Sequence, residues 1–289
     1  MKTRHDAYSG IPDLDTPEAC FSLRGRVGLI TGGAGKMGQA FVRILNAAGA
    51  ILVVADLEDG LRAGAQAFKA SSTASPAMQI AANVSHQSDV DRIFAEINRN
   101  YGRLDFLVNN VLAKPKGYYA DTESYSRETW DETIAGNLTS AFLCTREAAR
   151  LMVEKHTRGS IVMTSSIYGI SGPDQRIYEK CSPRDNPYDP GASLNAPASY
   201  SASKAGLIGL SKYFATLLGP ARIRVNTLIP GGVFDNQEDA FHAEYVKRVP
   251  LGRMGVFTDY SGAILFLVSD ASRYMTGSSL IVDGGWTAW

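Results

Sequence analysis

Val27-Gly28-Leu29-Ile30-Thr31-Gly32-Gly33-Ala34-Gly35-Lys36-Met37-Gly38 runs from a short apolar segment into a glycine-rich turn. From Met37 to Ala48 the apolar residues recur at helical spacing, and Ile51-Leu52-Val53-Val54-Ala55 then forms a second unbroken apolar run. Strand, turn, helix and strand in that order make a βαβ unit. Its turn is the place where a doubly wound sheet sets a dinucleotide pyrophosphate against a helix N-terminus. Glycines suit that contact because the backbone bends tightly and no Cβ keeps the phosphates away. Gly32, Gly35, Lys36, Met37 and Gly38 are the candidate contacts. A purely structural turn is the alternative reading, and placement directly after a buried strand argues against it.

The alternation continues outward from this unit. Helices are expected near Leu61 to Lys69 and Val90 to Asn100, with strands at Gln79 to Val84 and Leu104 to Val108. Trp130 to Lys155 reads as one long helix, Ser160 to Met163 as a strand, and Ala198 to Leu218 as a helix. Arg224 to Leu228 and Leu280 to Val282 are further strands, separated by a helix at Thr258 to Val268. Nearly continuous apolar strands between amphipathic helices indicate one doubly wound α/β domain whose parallel sheet has about seven strands. Residues 1–22 show no period and read as an N-terminal arm, leaving 23–289 as the domain. Residues 172–197 contain Pro173, Pro183, Pro187, Pro190 and Pro197 and read as a long inserted loop.

Asp56 closes the second strand, 18 residues after Gly38. A carboxylate there accepts hydrogen bonds from an adenosine ribose and repels a 2′-phosphate, which argues for NAD ahead of NADP. Lys36 offers an opposing charge for a 2′-phosphate, and Asp56 also suits the role of helix N-cap. Tyr200 and Lys204 stand at i and i+4 of an expected helix, so a phenol and an ammonium share one face. A neighbouring cation favours phenolate and lowers a tyrosine pKa, which makes the pair a proton-transfer device in outline. A solvated surface turn is the plainer reading of such a pair taken alone.

Taken with Asn109-Asn110, Asn137, Ser165-Ser166 and Pro230-Gly231, these motifs make residues 23–289 resemble the short-chain dehydrogenases/reductases. The resemblance implies a single Rossmann-fold domain and a catalytic tetrad of Asn137, Ser166, Tyr200 and Lys204. In that tetrad the tyrosine is the acid/base, the serine bonds the reacting oxygen, the lysine lowers the tyrosine pKa and holds the nicotinamide ribose, and the asparagine positions a relay water. Ser166 is preferred to Ser165 because Ile167-Tyr168-Gly169 follows it. Further cofactor contacts implied are Asn83 and Val84 at adenine, Asn109, Pro230 and Gly231, and Val233 at the carboxamide. Within the family, Ile177-Tyr178-Glu179, the Pro230 to Gln237 stretch and the Val282 to Trp289 ending resemble bacterial dehydrogenases of flagellin modification and surface-sugar biosynthesis. A sugar phosphate or nucleotide sugar is the substrate this implies.

Ser166 and Tyr200 are 34 residues apart, longer than the family's usual spacing, so residues 172–197 are expected to loop over the site as a lid or a partner contact. Arg176, Lys180 and Arg184 offer cations for an anionic substrate and Tyr168 and Tyr178 offer rings to stack on it, with a solvated polar loop as the alternative. His242, Tyr245 and Arg253 are weaker substrate candidates. The aromatic Trp286 to Trp289 tail is expected across a two-fold interface, in a homotetramer or homodimer.

The 289 residues carry 29 basic and 29 acidic side chains, a net charge of +0, without the basic surplus that nucleic-acid binding uses. Three scattered cysteines offer neither a disulfide framework nor a metal site. No apolar run approaches a membrane span and the start is polar, so the protein is expected in the cytoplasm with a small-molecule substrate and neither metal nor membrane partner. The reading is an NAD(H)-dependent alcohol/ketone oxidoreductase of a carbohydrate derivative. The alternatives are a dehydrogenase or reductase of a polyol, sugar acid or other small hydroxy compound, and a non-catalytic dinucleotide-binding sensor on the same fold.

Overall fold

In the computed structural model, residues 14–69, 78–182 and 191–289 are described, with 65–69 described by backbone alone. Strands β1 (Val27–Thr31), β2 (Ile51–Asp56), β3 (Met78–Ala81), β4 (Phe106–Asn109), β5 (Ser160–Thr164), β6 (Arg224–Pro230) and β7 (Ser279–Val282) form one sheet ordered β3-β2-β1-β4-β5-β6-β7. Every pairing is parallel, with Gly28 opposite both Leu52 and Phe106. The expected seven-stranded doubly wound sheet is the observed one. The order reverses between β1 and β4, so the carboxyl ends of those strands frame a ligand crevice.

The strands are continuously apolar because both faces are covered. Leu29, Val53, Leu107, Ile161 and Val225 face α4 (Gln87–Tyr101), α6 (Ser140–Glu154) and α7 (Ala198–Leu218). Ile30, Val54, Val108, Val162 and Leu228 face α2 (Lys36–Ala47) and α9 (Ser261–Val268), where Phe41, Leu45, Ile264 and Leu267 close the second core. A third cluster lies beyond the carboxyl ends of the strands and includes Tyr118, Tyr119, Ile167, Ile177, Leu194, Phe241 and Trp286. Helix α3 (Glu58–Lys69) leads from β2 toward β3. Among the described residues, no helix is long and apolar enough to cross a membrane.

Two elements differ from the periodicity. The expected single helix 130–155 is α5 (Arg127–Ile134), a π segment Ala135–Thr139 and then α6, with Ser140 N–H bonding to Ala135 O. The extra residue leaves apolar positions on both sides in place, so the 3.6 period passes through undisturbed while Asn137 sits at the bulge. Residues 14–22, read as aperiodic, contain the helical turn α1 (Pro17–Phe21), capped by Thr16 Oγ1 accepting from Ala19 N at 3.1 Å. That turn packs on the 3₁₀ turn Asp270–Ser272, beside the Arg26–Asp270 ion pair. Residues 1–13 of the expected arm lie outside the described residues.

The glycine-rich turn is held by close backbone approach. Gly32 has φ +65°, and a Cβ on Gly38 would stand 2.3 Å from Gly32 O and 2.6 Å from Gly33 Cα. Replacing Gly38 by Ala forces the loop and the start of α2 apart, at a cost of about 1–3 kcal/mol. The expected outcome is a fall in Tm of several degrees in thermal unfolding, and cofactor affinity weaker by roughly tenfold or more in a fluorescence titration.

Candidate active site

A cleft of about 1620 Å³ runs along the carboxyl ends of the strands from the glycine-rich turn to the third cluster. Ligand pockets for drug-sized molecules are roughly 300–1,000 Å³, so this cleft has room for a dinucleotide and a substrate together. At one end it is lined by Gly32, Gly35, Lys36 and Met37, whereas Gly38 is buried behind them against Gly32 and Gly33 and does not reach the cleft. Gly35 is the N-cap of α2 and supplies no side-chain cap, so first-turn N–H groups point at the cleft, as an anionic pyrophosphate needs. The glycine cradle, the bare helix start and the acidic side chain of Asp56 together fit a dinucleotide. Asp56 reaches over the turn, its carboxylate accepting from Ala34 N at 2.9 Å and Leu57 N at 2.8 Å. Lys36 reaches the other way, to an ion pair with Asp235 beyond β6, and so leaves the ribose end to the carboxylate.

Ala82, Asn83 and Val84 line the adenine end, where Asn83 Oδ1 accepts from Ser85 N at 3.1 Å. The structure does not bring the Asn109 side chain to the cleft. Asn109 is buried, its Nδ2 donating to Thr145 Oγ1 at 3.1 Å, and the side chain that lines the cleft is Asn110, donating to Gly32 O at 3.1 Å. The strand alternation that turns Asn109 inward turns its neighbour outward. Pro230, Gly231 and Val233 line the cleft after β6, and Val233 is fixed by a bridge to Gly255.

Tyr200 and Lys204, in the first turns of α7, converge with Ser166 at the end of β5. Ser166 Oγ lies against Tyr200, accepts from Tyr168 N at 3.2 Å and caps the 3₁₀ turn Ile167–Gly169. Ser165 is spent elsewhere, its Oγ donating to Lys204 O at 2.7 Å. Lys204 is buried and its Nζ donates to Thr164 O at 2.9 Å, standing 5.7 Å from the Tyr200 ring centroid. Asn137 Oδ1 accepts from Ala113 N at 2.7 Å, and its Nδ2 donates to Ser203 Oγ at 3.2 Å, which donates in turn to Tyr200 O at 2.9 Å. All four tetrad candidates therefore meet at one end of the sheet.

The electrostatics depart from the expectation of a depressed phenol. Burial pushes the Tyr200 hydroxyl above its ordinary value, against the downward pull of the Ser166 bond. Burial also pushes the Lys204 ammonium down to about 8. Desolvation outweighs the cation because Lys204 directs its proton to a carbonyl rather than to the phenol oxygen.

The chain belongs to the short-chain dehydrogenase/reductase family. The short chain dehydrogenase family profile matches residues 26–179, and the Enoyl-(Acyl carrier protein) reductase profile of the same family matches 191–287. The chain is 32% identical over 266 residues to the L-rhamnose 1-dehydrogenase (NAD(P)(+)) of Azotobacter vinelandii, covering 89% of this chain and 94% of that one. It is 35% identical over 269 residues to the trans-4-hydroxycyclohexanecarboxylate dehydrogenase of Sinomonas cyclohexanicum, covering 91% and 93%. Among solved structures, a short chain dehydrogenase of Leptospira borgpetersenii with bound NAD+ superposes with a TM-score of 0.80 at 31% identity, over 96% of this chain and 97% of that one. The family's members so matched are oxidoreductases of CH–OH groups, and this enzyme is one of them.

The described parts of the 172–197 segment of this family member, 172–182 and 191–197, form a wall of the cleft; the rest of the expected loop lies outside the described residues. Tyr178, Leu194, Asn195, Ala196 and Pro197 line it, and Ile177 is fully buried. The wall is fastened to α8 (Asp239–Val246): Tyr178 stacks on Phe241 at 5.3 Å, Arg248 Nε donates to Asp174 at 2.8 Å, Lys180 pairs with Glu244 at 3.0 Å, and Glu238 accepts from Ser182 N at 2.9 Å. Hydrogen bonds from Arg176 and Arg248 hold the Asp174 carboxyl well below its usual range, and bonds from Lys247 and Lys180 bring Glu244 down to about 2.

Several expected substrate contacts are not brought to the cleft. Arg176 is bound by Asp174 two residues before it, and Lys180 by Glu244, so each belongs to the fastening; Arg184 lies outside the described residues. His242 packs edge-on to Phe234, and Arg253 turns out to Asp259. Tyr245 does line the cleft, as a ring stacked 4.3 Å from Trp286 with its hydroxyl accepting from Gly232 N at 2.6 Å. Trp286 is thus buried within its own chain rather than held for an interface, while Trp289 is exposed. Lys114, which the sequence did not single out, also lines the cleft, its Nζ donating to Tyr119 Oη at 2.9 Å.

Exposed ion pairs contribute about 0.2–1 kcal/mol each. The double variant Asp174→Asn, Glu244→Gln is therefore expected to raise substrate KM by about two- to fivefold while leaving cofactor affinity unchanged. Steady-state kinetics of the wild type in 1 M salt, where the Debye length falls from about 10 Å at 0.1 M to about 3 Å, checks the ionic origin by shifting KM the same way.

Proposed function

We propose that this protein interconverts a secondary alcohol and a ketone on a hydroxylated ring or chain of carbohydrate type, with NAD ahead of NADP. What carries the reading is the meeting of Tyr200, Ser166, Lys204 and Asn137 beside a dinucleotide-shaped cleft. Asp56 over the glycine-rich turn, with Lys36 drawn off by Asp235, supports NAD. Gly32, Gly35 and Met37 would take the pyrophosphate over the tight turn that Gly38 permits, Asp56 the adenosine ribose, Asn83 and Val84 the adenine, and Lys204 and Val233 the nicotinamide end. The bound nucleotide supplies hydride transfer.

The chain's own residues handle the proton. In the oxidative direction Tyr200 Oη withdraws the alcohol proton, and in the reductive direction it returns one to the carbonyl oxygen. Ser166 Oγ bonds the same oxygen and so keeps it within reach of the phenol. Lys204, short of solvent and bonded to Thr164 O, is the charge that stabilises phenolate as it forms. Asn137, tied through Ser203 to the Tyr200 carbonyl, holds the start of α7 in register with the 109–114 loop and completes a path for a relay water.

The resemblance of the 177–179, 230–237 and 282–289 stretches to surface-sugar dehydrogenases supports a sugar phosphate or nucleotide sugar of surface-carbohydrate biosynthesis as the substrate. A second reading, dehydrogenation of a polyol, sugar acid or small cyclic hydroxy compound, is favoured by the relatives named for L-rhamnose and trans-4-hydroxycyclohexanecarboxylate. A panel of free sugars, sugar acids, sugar phosphates, nucleotide sugars and cyclic hydroxy acids separates them, with NAD and NADP side by side and reduced cofactor followed by absorbance. Tyr200→Phe is expected to lose about 10²–10⁴-fold in kcat with dinucleotide affinity retained, and full turnover in that variant would sink the assignment.

We further infer a homotetramer or homodimer. Phe142 on α6 and Tyr213 and Leu217 on α7 are exposed large apolar side chains on neighbouring helices, and Tyr274, Ile281 and Trp289 stand exposed around β7. Analytical ultracentrifugation is expected to give two or four times the 31.1 kDa chain mass; a monomer at micromolar concentration rejects it.

A further inference from the structure

The tyrosine hydroxyls that line the cleft around Tyr200 fall into two sets. Tyr119 Oη accepts from Lys114 Nζ at 2.9 Å and Tyr245 Oη accepts from Gly232 N at 2.6 Å, so the chain itself takes these two. Tyr168 and Tyr178 meet only one another, oxygen to oxygen at 3.3 Å, and Tyr118 Oη has no hydrogen-bond partner among the described residues. A phenol carries one O–H donor together with acceptor lone pairs. The Tyr168–Tyr178 contact uses one of two donors and is longer than the about 2.7–2.8 Å usual between hydroxyl oxygens. The pair therefore keeps an O–H for whatever occupies the cleft, and Tyr118 keeps its own.

Packing, not the hydroxyl, holds each of these rings in place. Tyr168 belongs to the 3₁₀ turn Ile167–Gly169, its N–H donates to Ser166 Oγ at 3.2 Å, and its ring meets Tyr200 edge-on with centroids 6.5 Å apart. Tyr178 follows the fully buried Ile177 and lays one face on Phe241 at 5.3 Å. Tyr118, 4% exposed, meets Tyr119 edge-on at 4.9 Å. Phenylalanine would fill these packing roles as well, as Phe241 does on α8, so packing does not account for the three hydroxyls. Burial pushes the Tyr168 hydroxyl up to about 12 and those of Tyr118 and Tyr178 well above their ordinary value, so all three stay protonated at neutral pH. Each also lies within the field of Tyr200, although they come from three segments: the loop after β4, the turn after β5 and the 172–182 wall. A buried donor left without a partner costs more than a made bond returns, so a site of this kind discriminates most against an analogue that lacks the matching hydroxyl.

We propose that the hydroxyls of Tyr118, Tyr168 and Tyr178 form a subsite that reads the hydroxyls flanking the reacting carbinol, and so select a polyhydroxylated ring or chain over a monohydric alcohol of the same size. This rests on the proposed alcohol/ketone activity and deepens it: Tyr200 and Ser166 act on one oxygen of the substrate, and the three phenols identify the molecule by its others. The recognition is uncharged, so it serves the polyol part of a sugar, a sugar acid or a sugar phosphate alike.

The test uses the full chain with NAD+ present, as wild type, Tyr118→Phe, Tyr168→Phe and Tyr178→Phe, each of which keeps its ring. Cyclohexane-1,2-diol, cyclohexane-1,3-diol and cyclohexane-1,4-diol are compared with cyclohexanol, and the readout is the ratio of kcat/KM for diol over mono-alcohol. In each variant that ratio is expected to fall by about tenfold for at least one diol, and the isomer affected gives the spacing that the missing hydroxyl reads. A loss shared equally by diols and cyclohexanol is the mark of a merely structural role and overturns the subsite, as does a ratio unchanged in all three variants. In parallel, 1,2-dimethylcyclohexane-1,2-diol and 1-methylcyclohexanol, whose tertiary carbinols have no hydrogen to give up, are titrated by ligand-observed NMR. The diol is expected to bind the wild type at least about fivefold more tightly than the mono-alcohol, and Tyr178→Phe to remove most of that margin. Equal affinity of the two for the wild type overturns the subsite even where turnover stands. Diol binding that depends on the phenol hydroxyls, with no turnover of any alcohol or ketone, keeps the subsite and rejects the activity reading.

Discussion

The proposed chemistry of this enzyme depends on how closely α7 is seated on the end of β5. Two hydrogen bonds of opposite sense stitch them together: Ser165 Oγ donates to the Lys204 carbonyl, and the Lys204 ammonium donates to the Thr164 carbonyl. The seat has no slack, because a Cβ on Gly169 would lie 2.8 Å from the Lys204 carbonyl carbon and from Ser165 Oγ. Sheet and helix therefore present Ser166 and Tyr200 to one another, and the two buried bonds that stitch them are expensive to leave unmade. In the proposed mechanism one lysine serves the packing with its backbone and the chemistry with its side chain, which keeps the pair from drifting apart as the cleft fills.

The cover over the cleft obeys different physics. Its inner surface is a small core of its own, with Ile177, Leu194, Ala196, Phe241, Tyr245 and Trp286 removed from water, and its outer edge is fastened by charges that remain partly solvated. Apolar burial of roughly 25 cal/mol per Å² holds the layer in place, whereas the exposed pairs contribute little and chiefly set which residues of 172–182 face α8. A layer of this construction is shape-specific at the ring-lined inner wall and soft at its rim.

The fold was legible in the sequence because parallel strands buried on both faces leave continuous apolar runs, and the glycine-rich turn marks their first crossover. The tetrad positions were legible as motifs, and the structure brings them together, but their surroundings were not. The π segment hides because one extra residue preserves the apolar spacing on each side of Asn137. Arg176 and Lys180 read as free cations because Glu244 is 64 residues from Lys180 in the chain, and Asp174, only two residues from Arg176, bonds a side chain that periodicity cannot orient. Lys114 reads as an ordinary loop lysine, since nothing local shows that Asn137 and Tyr119 hold it at the cleft. Asn109 and Asn110 differ only in which face of a strand end they leave from, and a motif does not state a face.

The π segment has one more consequence. Each residue of a helix turns the chain by about 100°, so the placement of Asn137 depends on how many residues lie between α5 and α6 as well as on which they are. Substitutions along Ala135–Thr139 leave that count untouched, whatever local contacts they break at Gly136 or Asn137. Loss of a single residue there would keep every functional side chain in the chain and yet swing the asparagine away from Ala113 and Ser203, detaching the 109–114 loop from α7. The site is guarded by a chain length, a quantity on which point mutation has no purchase.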